Sequence, residues 1–159
     1  KVGPSDRKRL LRALEVYLLT GRPIESFKVW GSKPRYPFLG YFLYRDRPEL
    51  YRRIEDRVES QLKRGLLDEA RWLLSFGPDT TAFQALGYKE MLGYLKGETT
   101  LEEAKRLLKR RTKEFAKRQF TWFKKEPDFK WVNLSQVSEE ELLELIKRDL
   151  KKIATEGRE

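Results

Sequence analysis

The sequence predicts an α/β chain that is mostly helical, with two strands that belong to a larger parallel sheet. Apolar runs at residues 38–44 (FLGYFLY) and 129–134 (FKWVNL) have the length and aromatic content of strands, and the first is continuous enough for a buried position. The segments around them carry helical spacing, caps and glycine stops. Two strands cannot make a parallel sheet covered on both faces, so further strands are expected from sequence outside this chain.

Each element follows from local signals. Ser5 or Asp6 can cap a first helix, whose apolar face is Leu10, Leu11, Leu14, Tyr17 and Leu18. Thr20-Gly21 ends it, and Pro23 suits the first turn of a short helix. Residues 30–37, WGSKPRYP, read as a loop. After the strand at 38–44, Asp46 begins a helix with Pro48 in its first turn, a stripe of Leu50, Ile54, Val58 and Leu62, and a stop at Gly65. A short helix runs from about Leu67 to Phe76, and a helical segment from Thr81 to Gly97 contains two internal glycines. Thr100 and Glu103 form a capping box that opens a long basic helix. On it Leu107, Leu108, Phe115, Phe120 and Trp122 are expected on the packed side. Ser138 and Glu141 cap the last helix, with Leu142, Leu145, Ile146, Leu150 and Ile153 inward. The last residues, TEGRE, read as a frayed tail.

Charge is concentrated rather than spread. Lys105 to Lys125 holds ten Lys or Arg and one acid, a net +9 against +10 for all 159 residues. Such a helix suits a polyanion; the competing reading of the composition is a heat-adapted surface rich in Lys, Arg and Glu. With no Cys and no His, disulfides, thiolate nucleophiles, imidazole bases and His-ligated metals are excluded within the chain. No apolar run has the length of a membrane span and no signal-peptide pattern opens the sequence, so a cytoplasmic location is expected. The start at Lys1, without Met and almost directly in a helix, reads as a piece of a longer protein.

Four groups of residues could carry chemistry. Arg53 and Arg57 share a helix face, where a guanidinium fork suits a diphosphate. Arg53 also has Glu49 and Asp56 at pairing distance, whereas Arg57 has no acid three or four residues away. Lys8, Arg9 and Arg12, with Leu10 and Leu11 between them, can meet backbone phosphates or form a solvated face. In Gln84, Ala85, Leu86, Gly87, Tyr88 and Lys89, the amide could read a base edge, Gly87 could admit a close backbone and Tyr88 could stack; a packed Tyr beside a structural Gly is the other reading. In Lys117, Arg118, Gln119, Phe120, Thr121, Trp122, Phe123 and Lys124, two cations suit phosphates, and Gln119, Thr121 and Trp122 suit unpaired bases. The other reading is a solvated basic face with its aromatic residues in the core. No carboxylate pair is placed for acid/base work, and no G-x-x-x-x-G-K-[ST] loop occurs.

The segments SDRKRLLRALEVYLLTGRPI, LYRRIEDRVESQLKRGLLDEA, QALGYKEMLGYLKGE and TKEFAKRQFTWFKK, in that order, closely resemble the C-terminal half or slightly more of the bacterial tRNA dimethylallyltransferase (tRNA isopentenyladenosine synthase) family. The likeness covers nearly the whole chain through Leu134. It implies the C-terminal part of a P-loop nucleoside-kinase-like fold: residues 1–36 would end a helical insertion, and residues 37–159 would complete the α/β core. It implies transfer of a dimethylallyl group from its diphosphate to the exocyclic amine of adenosine 37, next to the anticodon of tRNA. Partners would be dimethylallyl diphosphate, the tRNA anticodon stem-loop and the N-terminal part of the protein, in cis or as a separate chain. The intact protein would be a monomer, and Mg2+ would be held mainly by the N-terminal part and the diphosphate. Lys8–Arg12, Gln84–Lys89 and Lys117–Lys124 match tRNA-contacting stretches, and Arg57 matches an arginine that approaches the diphosphate. Two departures stand out: many relatives have Arg at the Gln84 position and Tyr at the Phe115 position. The family's P-loop, general-base Asp and phosphate-binding Thr have no counterpart in this sequence, so the chain alone is expected to be inactive. A non-catalytic RNA-binding domain is the alternative reading, and a nucleoside-kinase lobe, which leaves KRQFTW unexplained, is a third.

Overall fold

The computed structural model describes residues 6–27, 36, 38–77 and 81–156, with side chains up to Ile153. It divides into two compact units, Lys1–Phe38 and Leu39–Glu159. The first contains helix α1, Arg7–Thr20, and a 3-10 turn, Ile24–Phe27. Asp6 is the cap: its carboxylate accepts from the Arg9 amide at 3.2 Å. Gly21, at φ 67°, ends the helix by donating its N–H to the Tyr17 carbonyl. No residue of α1 is buried, so its expected apolar face is exposed. The expected loop at 30–37 lies outside the described residues except Tyr36.

The second unit runs β1 (Gly40–Tyr44), α2 (Arg47–Lys63), α3 (Leu66–Leu74), a 3-10 turn (Thr81–Gln84), α4 (Tyr88–Leu95), α5 (Leu101–Phe123), β2 (Phe129–Asn133) and α6 (Glu139–Glu156). β1 and β2 pair in parallel, with Gly40 opposite Phe129 and Tyr44 opposite Asn133. The α/β, mostly helical class with two parallel strands is therefore as expected. Phe38 and Leu39 fall outside the strand. Gly40 has a steric reason: a Cβ there would lie 3.0 Å from the Phe129 ring.

The core sits among four helices. Val58, Leu66, Ala70, Met91, Ala104 and Leu108 form one buried cluster, with Leu62, Tyr88 and Leu95 packed against it. Burial of a side chain such as Met91 or Val58 contributes about 1.5–3 kcal/mol. A second, aromatic cluster joins α5 to the sheet: the Phe42 ring lies 5.2 Å from Phe120, 4.6 Å from Phe123 and 4.4 Å from Trp131.

Three expectations of packing are corrected. Phe115 and Trp122 are 45% and 51% exposed, and Phe123 packs on the sheet instead. The reason is helical phase: Phe120 and Phe123 are three apart and share the sheet-facing side, which Phe115 and Trp122 miss. In α6, Leu150 is exposed and Asp149 is buried in its place. Asp149 accepts from Tyr41 Oη at 2.6 Å and from Lys130 Nζ at 2.7 Å, which ties α6 to both strands. Burial, followed by that carboxylate, pushes the Tyr41 phenol up to about 12. Finally, residues 81–97 are not one helix. Gly87, at φ 105° and ψ −65°, breaks the segment into a 3-10 turn and α4.

Candidate nucleic-acid interface

The long basic helix is electrically divided. In its first half Lys105 and Lys109 pair with Glu59 of α2 at 3.2 and 2.7 Å. Lys113 pairs with Glu55 of α2, Arg110 with Glu114 at 3.9 Å, and Arg111 with Glu90 of α4 at 2.6 Å. The pairs to Glu55, Glu59 and Glu90 hold the first half against α2 and α4 and offset much of its charge. The exposed ones contribute about 0–1 kcal/mol each. In the second half, among the described residues, Lys117, Arg118, Lys124 and Lys125 make no ion pair. Apart from the exposed Arg106, the cations of α5 free for a ligand therefore lie at Lys117 and beyond.

Helical phase sends these cations into two clefts. Lys117, Thr121 and Lys124 recur at i, i+4 and i+7 and face Tyr44, Arg45, Asp46, Arg47, Leu50 and Tyr51 across a cleft of about 380 Å³. This cleft opens at the carboxyl end of β1, the end at which open α/β sheets receive ligands. Its rim is rigid. The Ser135 hydroxyl donates to Glu49 at 2.6 Å, Arg45 donates to Glu49 and to the Leu134 carbonyl, and Asn133 donates to Asp46. The Ser135 hydrogen bond, then Arg53 and Arg45, hold the Glu49 carboxyl down at about 2.

The second cleft, about 590 Å³, lies against the neighbouring face of the same helix. Arg111, Phe115 and Arg118, again at i, i+4 and i+7, face Gln84, Ala85, Leu86, Lys89 and Glu90. Here the structure brings together two stretches more than twenty residues apart in sequence. The Arg118 guanidinium lies 5.8 Å from the Phe115 ring centre, a cation–π approach that presents the pair as one surface. Gln84 and Lys89 are exposed. Tyr88 is not open: it is half-buried against the core, and its hydroxyl donates to Glu69 at 3.2 Å. Gly87 is buried, while its N–H donates to Glu90 at 2.8 Å.

Gln119 and Trp122 are exposed on α5 outside both clefts, with Trp122 set edge-on to Phe123 at 4.7 Å. Phe120 and Phe123 serve the aromatic cluster, although Phe120 also floors the first cleft. Arg57 is exposed on α2, lines neither cleft and makes no ion pair among the described residues; Arg53 pairs with Glu49 at 3.1 Å. Lys8, Leu10, Leu11 and Arg12 are exposed on α1, and Arg12 pairs with Glu15 at 3.2 Å. Arg9 pairs with Asp6 at 3.2 Å.

Sequence reasoning missed Arg47, Glu90, Arg111 and the outward role of Phe115. The i, i+4, i+7 spacing of Arg111, Phe115 and Arg118 was a usable signal. Glu90, three residues after Gly87, was another. Arg47 had none, because its cleft exists only once α5 packs against β1. Among the described residues no group of three or more Asp or Glu is placed to hold a metal. No helix among them is long and apolar enough to cross a membrane.

Fold and site together define an α/β protein with one strongly cationic, cleft-bearing helix. The chain belongs to the IPP transferase (IPPT) family, which matches residues 1–126. It is similar to a tRNA dimethylallyltransferase of Carboxydothermus hydrogenoformans, 47% identical over 149 residues that cover 92% of this chain and 48% of that protein. It is also similar to a tRNA dimethylallyltransferase of Halothermothrix orenii, 50% identical over 139 residues, 85% of this chain and 42% of that protein. Among solved structures it resembles the tRNA delta(2)-isopentenylpyrophosphate transferase of Staphylococcus epidermidis. The TM-score is 0.73 at 36% identity, covering 96% of this chain and 50% of that one. The full-length tRNA isopentenylpyrophosphate transferase of Bacillus halodurans gives 0.73 at 34% identity, over 99% and 48%. The resemblance carried by the four sequence motifs is borne out. The chain spans about half the length of the relatives it matches.

Proposed function

We propose that this chain is the tRNA-gripping part of a tRNA dimethylallyltransferase. One observation carries the reading: the Gln84–Lys89 turn and the Arg111–Phe115–Arg118 face of α5 meet in a single cleft. Cations for phosphates, an amide for a base edge and an exposed ring are the set that unpaired RNA requires. The unpaired Lys117 and Lys124 continue the cationic surface into the first cleft. An anticodon loop suits such a surface, since its bases leave the stack at lower cost than those of a duplex.

In the proposed reaction the exocyclic amine of an adenosine attacks the first carbon of the dimethylallyl group. The carbon–oxygen bond to the diphosphate breaks, and the amine loses its proton to a base on the other half of the protein. Negative charge gathers on the leaving diphosphate. Arg57, exposed and without an intrachain ion pair among the described residues, is the residue here that would stabilise it. The P-loop and further strands of the sheet belong to that other half. The family resemblance also implies magnesium, but the described residues offer no carboxylate cluster for it. It would sit with the diphosphate and the other half.

The test is transfer by the intact protein, read as the mass gained by an anticodon stem-loop RNA incubated with dimethylallyl diphosphate. Prenylation of the adenosine next to the anticodon is expected. Tight RNA binding without any transfer would favour a non-catalytic RNA-binding domain instead.

A further inference from the structure

Glu90 is a buried acid that the proposed reaction does not use. Its side chain is 0% exposed. It is the third residue of α4 and makes the carboxylate half of a capping box, accepting the Gly87 N–H at 2.8 Å. Gly87 has no side chain to make the other half. The second carboxylate oxygen is spent outside the helix: it accepts from Arg111 Nη1 at 2.6 Å. One carboxylate thus ties the Gln84–Lys89 turn to the Arg111 face of α5. Its removal would leave the buried Gly87 N–H without an acceptor and the Arg111 guanidinium without its counter-charge.

We propose that Glu90 is a positioning residue for RNA recognition, the joint that holds the Gln84–Lys89 turn and the Arg118 face of α5 at one fixed separation. The inference rests on the RNA-binding reading of the second cleft. In it, Arg111 serves Glu90 and not the ligand, although it lines the cleft. Arg118, whose guanidinium has no acidic partner among the described residues, is the phosphate contact. A rigid spacing matters because phosphates along one strand and the base edge between them must be met together.

The experiment measures affinity of the intact protein for an RNA hairpin with an unpaired, adenosine-containing loop, from about 50 to about 200 mM salt. The variants are Glu90→Gln, Arg111→Gln, the double variant and Arg118→Ala, each checked for folding by circular dichroism. A Gln at 90 can accept from only one of the two donors and turns an N–H2 toward the other. Glu90→Gln is expected to weaken binding about tenfold without lowering the salt slope, since it removes no cation. Arg111→Gln should do the same, at unchanged slope, because the charge it removes was already neutralised. The double variant should bind no more weakly than either single variant, because both substitutions break the same contact. Arg118→Ala should lower the slope by about 0.7–0.9, the signature of one lost phosphate contact.

A merely structural role would lower thermal stability and leave affinity below the melting range within twofold, and that result overturns the proposal. So does a slope change for Arg111→Gln equal to that of Arg118→Ala, which would make Arg111 a phosphate ligand. Should Glu90→Gln fail to fold, the slope of Arg111→Gln alone decides between these outcomes. Unchanged affinity and slope for Arg118→Ala would overturn the RNA reading of the cleft, and the proposal with it.

Discussion

Replacing Gly87 with Ala tests whether the turn between the 3-10 segment and α4 is held as strictly as its hydrogen bonds imply. The backbone there has φ 105° and ψ −65°, a region closed to side-chain-bearing residues without strain. A Cβ would meet Leu66 Cδ1 at 3.5 Å, an ordinary contact, so crowding adds little. The cost is the backbone itself, about 1–3 kcal/mol. Rotation to negative φ offers no escape. It would release the Gly87 N–H from Glu90 at 2.8 Å and the Gly87 carbonyl from the Met91 amide at 3.1 Å. Losing the charge-assisted bond to Glu90 costs about 1.5–3 kcal/mol by itself. The strained route is the cheaper one and predicts destabilisation of about 1–3 kcal/mol, read from urea denaturation followed by circular dichroism. Gly93→Ala, inside α4 with its Cβ 3.4 Å from Thr99 Oγ1, is the control and should not destabilise by more than about 0.5 kcal/mol. A Gly87→Ala variant as stable as its parent would refute the reasoning, because the turn would then relax freely.

Other perturbations have separate readouts. Met91→Ala, at the fully buried centre of the helical core, should cost about 2–5 kcal/mol in the same denaturation assay. Glu49 has its carboxyl lowered from 4.5 to about 2, so the stability it contributes is complete above pH 4.5 and is lost as pH falls toward 2. Glu49→Gln should flatten that part of the stability–pH curve, and an unchanged acid limb would count against the Ser135 and arginine contacts. Arg57→Ala should slow dimethylallyl transfer by the intact protein about 10²–10³-fold while RNA affinity stays within about twofold. A normal transfer rate would remove the diphosphate role.

What could be read in the sequence was local. The caps at Asp6, Thr100 and Ser138 are where hydroxyl or carboxylate residues precede apolar periodicity, and the stripe through Ile54 and Val58 is buried. Both strands were visible because aromatic runs that short have little other use. The misses came from relations between elements. Whether Phe115 or Phe123 enters the core depends on where β1 lies against α5, which no helical period reports. Asp149 sits on the apolar side of α6, three residues after Ile146, yet its burial makes sense only once Tyr41 and Lys130 face it. The same limit applied to the candidate interface. Two of its motifs were recognisable separately, but their meeting in one cleft depends on Glu90 and Arg111, two charged residues that look like ordinary surface until they are paired.

The central claim is that the unpaired end of α5 grips RNA phosphates. It is tested most directly by the salt dependence of anticodon stem-loop binding to the intact protein carrying Lys117→Ala and Arg118→Ala together. Loss of two contacts predicts weaker binding at moderate salt and a log–log slope reduced by about 1.4–1.8. Affinity and slope equal to those of the parent protein would contradict it.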